Sequence, residues 1–511
     1  MAHHPDPSNQ FVPTSRSYAR GKFGRLFPWL PPCLEDTPKI RAELRTLARN
    51  MRGAETNDSG RFVVNQQSQN PAGYTYLGQF IAHDLSFDPT SISERQFDPE
   101  FLWNFRTPAL DLDSIYGGGP SGCPQFYRKD HFRTHFLVGE RKIDDLGVPD
   151  LPRTSDGTAI ISDPRNDENF IISELHTAFL LFHNKMVDNP RTKVNPGDSR
   201  SGEKIFLEAQ QLTRWHFQWV VLFDYLPRIV DLSSTTENQN LKLFPQMVQE
   251  EKTKSVAEQI RTLVENEKKR KFYDWRNEPF IPLEFSAAAF RLGHAQVRKQ
   301  YIFDMKFSST DLFPRPNTKL DWRLFFPEEG KSANLNHKIR PVISFHLGDV
   351  PFASIFQGGN RNLEEMVSLR IREAANPSEV INLVLEQENK VPDINNLAYR
   401  NLVRGMLLRL PSGQSVARAM GLEPLTIEEA GYFSDNTPLW YYILHEAFDQ
   451  NDGERLGAVG SRIVSEVIIG MIQGDKTSFL NQAPNWKPNE EGRYTMIDFL
   501  KEAGVYPAGE V

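Results

Sequence analysis

Apolar residues recur at three-and-four spacing between positions 171 and 186, where Ile171, Ile172, Leu175, Ala178, Phe179, Phe182 and Met186 share one side of a 3.6-residue turn. That spacing predicts an amphipathic helix. Residues 204–230 carry a denser apolar pattern and predict a longer, more buried helix ended near Pro227. Further helical patterns cover 76–85, 285–300, 394–408, 438–448 and 454–473. Alternating patterns are few and short, around 159–161 and 342–345. Residues 1–60, rich in Pro, Arg and polar side chains, read as an irregular N-terminal arm, and residues 61–511 as one domain. Connectors such as Gly117-Gly118-Gly119-Pro120 and residues 311–317 are too short to separate modules, and no internal repeat is found. The expected fold class is mainly α, a single large helical domain with very little β.

Composition narrows the field without changing that picture. The 511 residues are 39% hydrophobic and 24% charged, which is globular. Net charge is −7, and the one tight basic run, Lys268-Lys269-Arg270-Lys271, reads as a solvated helix face, so no nucleic-acid partner is expected. Two cysteines, Cys33 and Cys123, exclude a disulfide framework and leave one bridge or two free thiols. The start Met1-Ala2-His3-His4-Pro5-Asp6 has neither the basic nor the apolar region of a signal peptide. The longest apolar runs, such as 219–223, are too short for a transmembrane segment. A soluble, cytoplasmic protein is the default expectation, with leaderless secretion left open.

Candidate chemistry is spread along the chain. His83 lies in Gly78-Gln79-Phe80-Ile81-Ala82-His83-Asp84, with Gln79 one turn earlier on the same helix face. An imidazole with an ordinary pKa near about 6.5 suits moving a proton between two oxygens. Arg165 and Glu168 precede the 171–186 helix; an arginine is cationic at any working pH and suits stabilising a departing oxygen. Phe290-Arg291-Leu292-Gly293-His294 places a glycine before a histidine, which would let a flat ring approach the backbone, and Arg291 sits one turn from His294. A metal-bound imidazole needs its other N–H held, which Asn401 can do, and Arg404 follows one turn later. Taken singly, each has a plainer reading: a satisfied core histidine, a helix-entry charge cluster, or a core helix with surface arginines. His176 and His183 are seven apart rather than at zinc-helix spacing, and read as core or capping residues.

The ordered set resembles the animal-type haem peroxidases of the peroxidase–cyclooxygenase superfamily, more closely their bacterial members, over residues 44–480. The likeness extends to Asn70-Pro71-Ala72-Gly73-Tyr74-Thr75-Tyr76 and to Gly460-Ser461-Arg462-Ile463-Val464-Ser465-Glu466. It implies a helical haem peroxidase domain over 61–511, reducing hydrogen peroxide via an oxo-ferryl intermediate and oxidising small donors. By the same likeness His83 is the distal base, Gln79 its polar companion and Arg165 the catalytic arginine. His294 is then the proximal ligand of a haem b iron and Asn401 its hydrogen-bond partner, with Arg291 and Arg404 near the haem propionates. A calcium site is also implied, built from Asp84, Thr107, the Ala109 carbonyl, Asp111 and Asp113, oxygen donors of the kind that ion takes.

Two departures refine the expectation. Mammalian members carry an ester-forming aspartate just before the distal histidine, where this chain has Ala82. Glu168 matches the second ester-forming acid, so at most one ester link is expected, and Asn169 stands where one member has a sulfonium-forming methionine. Fewer links imply a less distorted haem and a lower potential, favouring phenols, bromide, iodide or thiocyanate over chloride. The fatty-acid dioxygenases of the superfamily use a tyrosine three residues before the proximal histidine; here it is Arg291. A haem-dependent fatty-acid dioxygenase and a catalytically silent haem- or calcium-binding protein are the competing readings.

Overall fold

Thr37 and Pro38 open the first helix, α1 (Pro38–Asn50). The Thr37 side chain accepts the Ile40 N–H at 3.2 Å, and proline occupies the first turn, where its missing N–H is harmless. The computed structural model describes residues 23–52, 67–87, 102, 104–129, 133–143, 146–189, 201–231, 270–274, 278–305, 309–312, 315–331, 333–343 and 395–507. Helix α1 therefore corrects the expectation of an arm irregular throughout 1–60. Its buried Leu44, Leu47 and Ala48 pack toward a later helix, Leu397–Leu407, and the Asn396 amide donates to the Ala48 carbonyl at 3.2 Å.

The central helices are α2 (Gly73–Leu85), α3 (Phe170–Asp188) and α4 (Ser201–Val220). Asn169 caps α3 by accepting the Ile172 N–H at 3.0 Å, and fifteen of the helix's side chains are buried, so it is core on nearly every face. Phe80 of α2 stacks on Phe179 of α3 at 4.4 Å, with Phe217 of α4 edge-on to both. Phe499, from the helix Met496–Glu502, stacks on Phe182 at 4.0 Å. Such pairs are worth roughly 0.5–1.5 kcal/mol each beyond the apolar area they bury, and they fix how α2 faces α3.

The remaining frame is α5 (Leu397–Leu407), α6 (Gly413–Met420), α7 (Leu439–Asn451) and α8 (Ala458–Gly474). Asn396 caps α5 by accepting the Ala398 and Tyr399 N–H groups at 2.9 and 3.2 Å. The two cysteines are free thiols. Among the described residues, no helix is long and apolar enough to cross a membrane.

One large, mainly α domain is thus what the hydrophobic pattern predicts, but local details differ. The 204–230 helix continues past α4 through a π turn, Val221–Tyr225, into Leu226–Ile229. Pro227 has no N–H and would crowd the carbonyl four residues back; the widened turn before it removes that conflict. The 285–300 pattern becomes three short turns, Leu283–Ser286, Ala289–Arg291 and Gly293–Gln296, broken at Ala288 (φ −131°). Side chains take over backbone carbonyls there: Arg291 Nε donates to Ser286 at 3.1 Å and Trp440 Nε1 to Arg291 at 3.3 Å.

Strands are short antiparallel pairs: Gln67–Pro71 with Leu335–His337, Gly139–Ile143 with Leu146–Asp150, and Gln300–Tyr301 with Thr310–Asp311. None shows apolar alternation; ion pairs anchor the second, Arg141 to Glu174 at 2.9 Å and Arg315 to Asp150 at 2.7 Å. The strand patterns at 159–161 and 342–345 reduce to single bridges, Arg153 with Ala159 and Arg52 with Ile343; positions 344 and 345 lie outside the described residues.

Candidate active site

The face of α2 carrying Gln79, Ala82 and His83 is set by what packs behind it. Leu77, Phe80, Ile81 and Asp84 are buried against the core. Gly78 is demanded by a close approach, since a Cβ there would lie 2.4 Å from the Tyr225 hydroxyl, brought in by the π turn. His83 is buried, and its Nδ1 is 2.8 Å from Asn166 Oδ1. Asn166 belongs to the short turn Pro164–Asp167, which Asp163 caps by accepting the Arg165 N–H at 3.0 Å. The other end of the Asn166 amide, Nδ2, is 3.0 Å from His176 Nδ1 on α3. Burial, with the Arg165 cation next in weight, pushes the His83 pKa down to about 3, so the ring is neutral at pH 7.

Arg165 is more committed than its expected role requires. Its Nε and Nη2 pair with Asp163 at 3.0 and 2.7 Å, Nη2 also donates to the His83 carbonyl at 2.9 Å, and Nη1 to the Ser86 carbonyl at 2.9 Å. Its guanidinium lies 4.6 Å over the Phe87 ring. Four of the five guanidinium N–H groups are therefore engaged, two of them on carbonyls at the C-terminal end of α2, where a cation is favourable. Asp163 also holds Arg106 at 2.7 Å; burial would raise this carboxyl, but Arg165 and Arg106 together hold it well below the usual carboxylate range.

Gln79 Nε2 donates to Glu168 Oε2 at 3.0 Å, and Asn169 Nδ2 donates to Gln79 Oε1 at 3.3 Å. Burial pushes the Glu168 pKa up to about 8 against the pull of Arg165, so this acid is largely protonated at neutral pH.

On the other side, His294 Nδ1 is 2.7 Å from Asn401 Nδ2, and Arg291 Nη1 donates to Asn401 Oδ1 at 3.4 Å. Burial, then Arg291 and Arg400, push the His294 pKa down to about 3. Gly293 adjoins α2, since an added Cβ would sit 3.7 Å from Thr75 Cγ2. Thr75 precedes His83 by a little over two turns, about 12 Å along the helix. Both histidine segments therefore attach to α2, one near each end. Arg404 is half-buried in the last turn of α5.

Sequence reasoning missed three residues here. Asn166 bonds His83, and His176 bonds Asn166, across the core with no telling spacing. Arg400, buried beside Asn401, acts electrostatically on both His294 and Glu168, linking the two sides; the sequence reading looked one turn on, to Arg404.

Gln79, Ala82, Glu168 and His294 are half-buried. The residues present suit a planar group with one metal ligand position: His294 offers a neutral imidazole, and Arg291 and Arg400 place cations beside it.

The expected calcium loop is built differently. Asp84 accepts the Leu112 and Ser114 N–H groups at 3.0 and 3.1 Å and the Ser114 hydroxyl at 2.9 Å. Thr107 donates to Asp111 at 2.7 Å, and Asp113 pairs with Arg106 at 3.2 Å. Ala109 lies in the same loop, half-buried. Among the described residues, no three His, Cys, Asp or Glu side chains converge on a metal position. The donors are nonetheless oxygens of the kind a hard cation takes, and burial first, then the neighbouring Asp111 charge, pushes Asp84 up to about 8.

A family model described as animal haem peroxidase matches residues 93–344, a span that includes Arg165, Glu168 and His294. No curated protein matches the chain in sequence. Among solved structures, peroxidase A from Dictyostelium discoideum is similar over 96% of this chain and 94% of its own, at 15% identity and a TM-score of 0.55. The fatty acid alpha-dioxygenase of Arabidopsis thaliana covers 94% and 78% at 13% identity and 0.52. A variant of the Oryza sativa fatty acid alpha-dioxygenase with palmitic acid covers 91% and 80% at 12% identity and 0.53. At these identities the likeness is one of fold, and it spans peroxidase and dioxygenase alike. The family match and the shared helical architecture agree: residues 93–344 form an animal haem peroxidase domain, within a helical fold that the whole chain shares with a peroxidase and with fatty acid alpha-dioxygenases.

Proposed function

We propose that the protein is a peroxidase that reduces hydrogen peroxide and oxidises small donors. The observation that carries this reading is His83, a neutral imidazole tied at Nδ1 to Asn166 and flanked by the Arg165 charge, on the same helix that the His294–Asn401 pair adjoins. Haem b, when bound, supplies the redox iron; His294 would hold it through Nε2, with Arg291, Arg400 and Arg404 the cations for its propionates.

His83 does the proton work. With Nδ1–H donated to Asn166, Nε2 keeps a lone pair that takes the proton of one peroxide oxygen and returns it to the other, which leaves as water. Gln79 stands one turn away to orient peroxide or water. Arg165 acts through its charge, keeping His83 neutral and favouring negative charge on the departing oxygen, with one N–H left for direct contact. Glu168, neutral and held by Gln79, is the one position for an ester link; acid–acetone extraction that leaves haem on the protein would establish it. Calcium is proposed for the loop of Asp84, Thr107, Ala109, Asp111 and Asp113, where it would tie that loop to α2; metal analysis before and after chelation tests it.

Haem-loaded His83→Ala should keep its haem spectrum and lose peroxide reaction by about 10²–10⁴-fold. An unchanged rate removes His83 from its role. Rapid oxygen uptake with a long-chain fatty acid would favour the dioxygenase reading, against which Arg291 stands, its guanidinium engaged with Ser286 and Asn401. A haem spectrum with no reaction of either kind would mark a silent haem binder.

A further inference from the structure

His83 is joined to a second histidine through Asn166. Asn166 Oδ1 is 2.8 Å from His83 Nδ1, its Nδ2 is 3.0 Å from His176 Nδ1, and all three side chains are buried. We infer that Asn166 and His176 are positioning residues that set which nitrogen of His83 carries the proton.

A carboxamide donates from one end and accepts at the other. Placed between two neutral imidazole nitrogens, it can satisfy both only if one ring presents N–H and the other a lone pair. The two histidines must therefore hold opposite Nδ1 states. This holds whichever way the amide is turned, and an orphaned buried donor or acceptor is unfavourable enough to bias the choice by about tenfold or more. With Oδ1 toward His83, His83 is the Nδ1–H tautomer with a bare Nε2, and His176 accepts at Nδ1 and carries its proton on Nε2. His176 sits on α3, whose side chains are almost wholly core, so the acceptor is fixed by packing that does not depend on the site. The short turn carrying Asn166 is equally fixed, through the Asp163 cap and the Asn166 N–H donated to the Asp163 carbonyl at 3.0 Å.

This inference rests on His83 being the proton acceptor, but it can fail separately. The test is nitrogen-15 NMR of histidine-labelled full-length protein carrying zinc protoporphyrin, a diamagnetic stand-in for haem, with His83 assigned by the signal lost in His83→Gln. The wild type should show His83 as Nδ1–H and His176 as Nε2–H. His176→Leu, which removes the acceptor without touching His83, should give His83 a mixed tautomer. His176→Gln, which restores an acceptor, should return it to Nδ1–H. In the haem-loaded enzyme His176→Leu should slow peroxide reaction by about tenfold with haem content unchanged, less than the loss in His83→Ala. A His83 tautomer that is the same in wild type and His176→Leu overturns the relay. So does a wild type in which both rings show the same tautomer. Full peroxide activity in His83→Ala would instead overturn the peroxidase reading while leaving the tautomer result standing.

Discussion

Each of the two site histidines faces an asparagine at Nδ1, but the asparagines work under different constraints. Asn166 stands between two neutral rings, and its orientation already leaves His83 Nε2 bare. Asn401 stands between a ring and a cation. Arg291 can only donate, so it draws Asn401 Oδ1 and leaves Nδ2 toward His294. That arrangement puts the His294 proton on Nε2, the atom a metal would need. To hold iron as proposed, His294 would need its proton on Nδ1 and Asn401 Oδ1 facing it, in place of the long Arg291 contact. The His83 half is thus preorganised by packing, whereas the His294 half would be completed by the group it is proposed to bind. Their settings agree with this: His83 lies buried on a thirteen-residue helix, His294 half-buried on a four-residue turn.

The largest expected contrast follows directly. His294→Ala should abolish the haem absorbance of the reconstituted protein, while His83→Ala should retain it at full occupancy. Equal haem retention in both would erase the distinction between the halves. Next comes stability without haem. Asp163→Asn leaves Arg106 and Arg165 without their shared buried partner and should destabilise the protein by roughly 3–5 kcal/mol in urea unfolding. Asn401→Leu should change that midpoint far less, because its partners His294 and Arg291 are only half-buried.

A smaller, pH-dependent effect isolates the relay's far end. Burial pushes His176 down to about 3, against an unfolded value of about 6.5. Between those values the unfolded chain binds more protons, so the stability His176 permits is whole above about pH 6.5 and is lost as pH falls. Glu168 and Glu174, pushed by burial up to about 8 and about 7, run the opposite way, so the whole-protein curve mixes both signs. The difference between wild type and His176→Gln removes them. It should shift against the wild type by about 1.4 kcal/mol per pH unit from about pH 6.5 toward about 3. A flat difference would mean that His176 is not held neutral.

How much of this is legible in the sequence depends on where each residue sits. The helix around His83 is readable because continuous apolar spacing surrounds it, and the helix Leu397–Leu407 likewise places Asn401. The segment around His294 reads as one helix but is not, because the groups that interrupt it, Trp440 and the Arg291 side chain, act through tertiary contacts. Asn166 and His176 are invisible as partners of His83, since a hydrogen bond across the core leaves no period. The one available signal is an asparagine in a proline-started turn directly after Arg165. The commitment of Arg165 to Asp163 cannot be read from spacing either, although Asp163 stands two residues before it.

The smallest expected effect concerns Gly293, where sequence and packing give different reasons for a glycine. From the sequence, a Cβ at this position would block a flat ring. The protein itself makes no such demand: an added Cβ would meet Thr75 Cγ2 at an ordinary 3.7 Å, and Gly293 is not among the positive-φ residues. Gly293 also starts a short helical turn, where alanine is favoured over glycine by roughly 1 kcal/mol at most. Without haem, Gly293→Ala should therefore leave stability within about 0.5 kcal/mol of the wild type or raise it slightly. Contrast Gly78, whose Cβ would meet the Tyr225 hydroxyl at 2.4 Å and whose alanine variant should destabilise the haem-free protein. If a ring lies against Gly293, the same alanine should weaken haem binding despite its harmlessness to the empty protein. Loss confined to the haem-bound state would place the ring beside His294. Unchanged affinity would move the ring away from this backbone and leave His294 without its expected role.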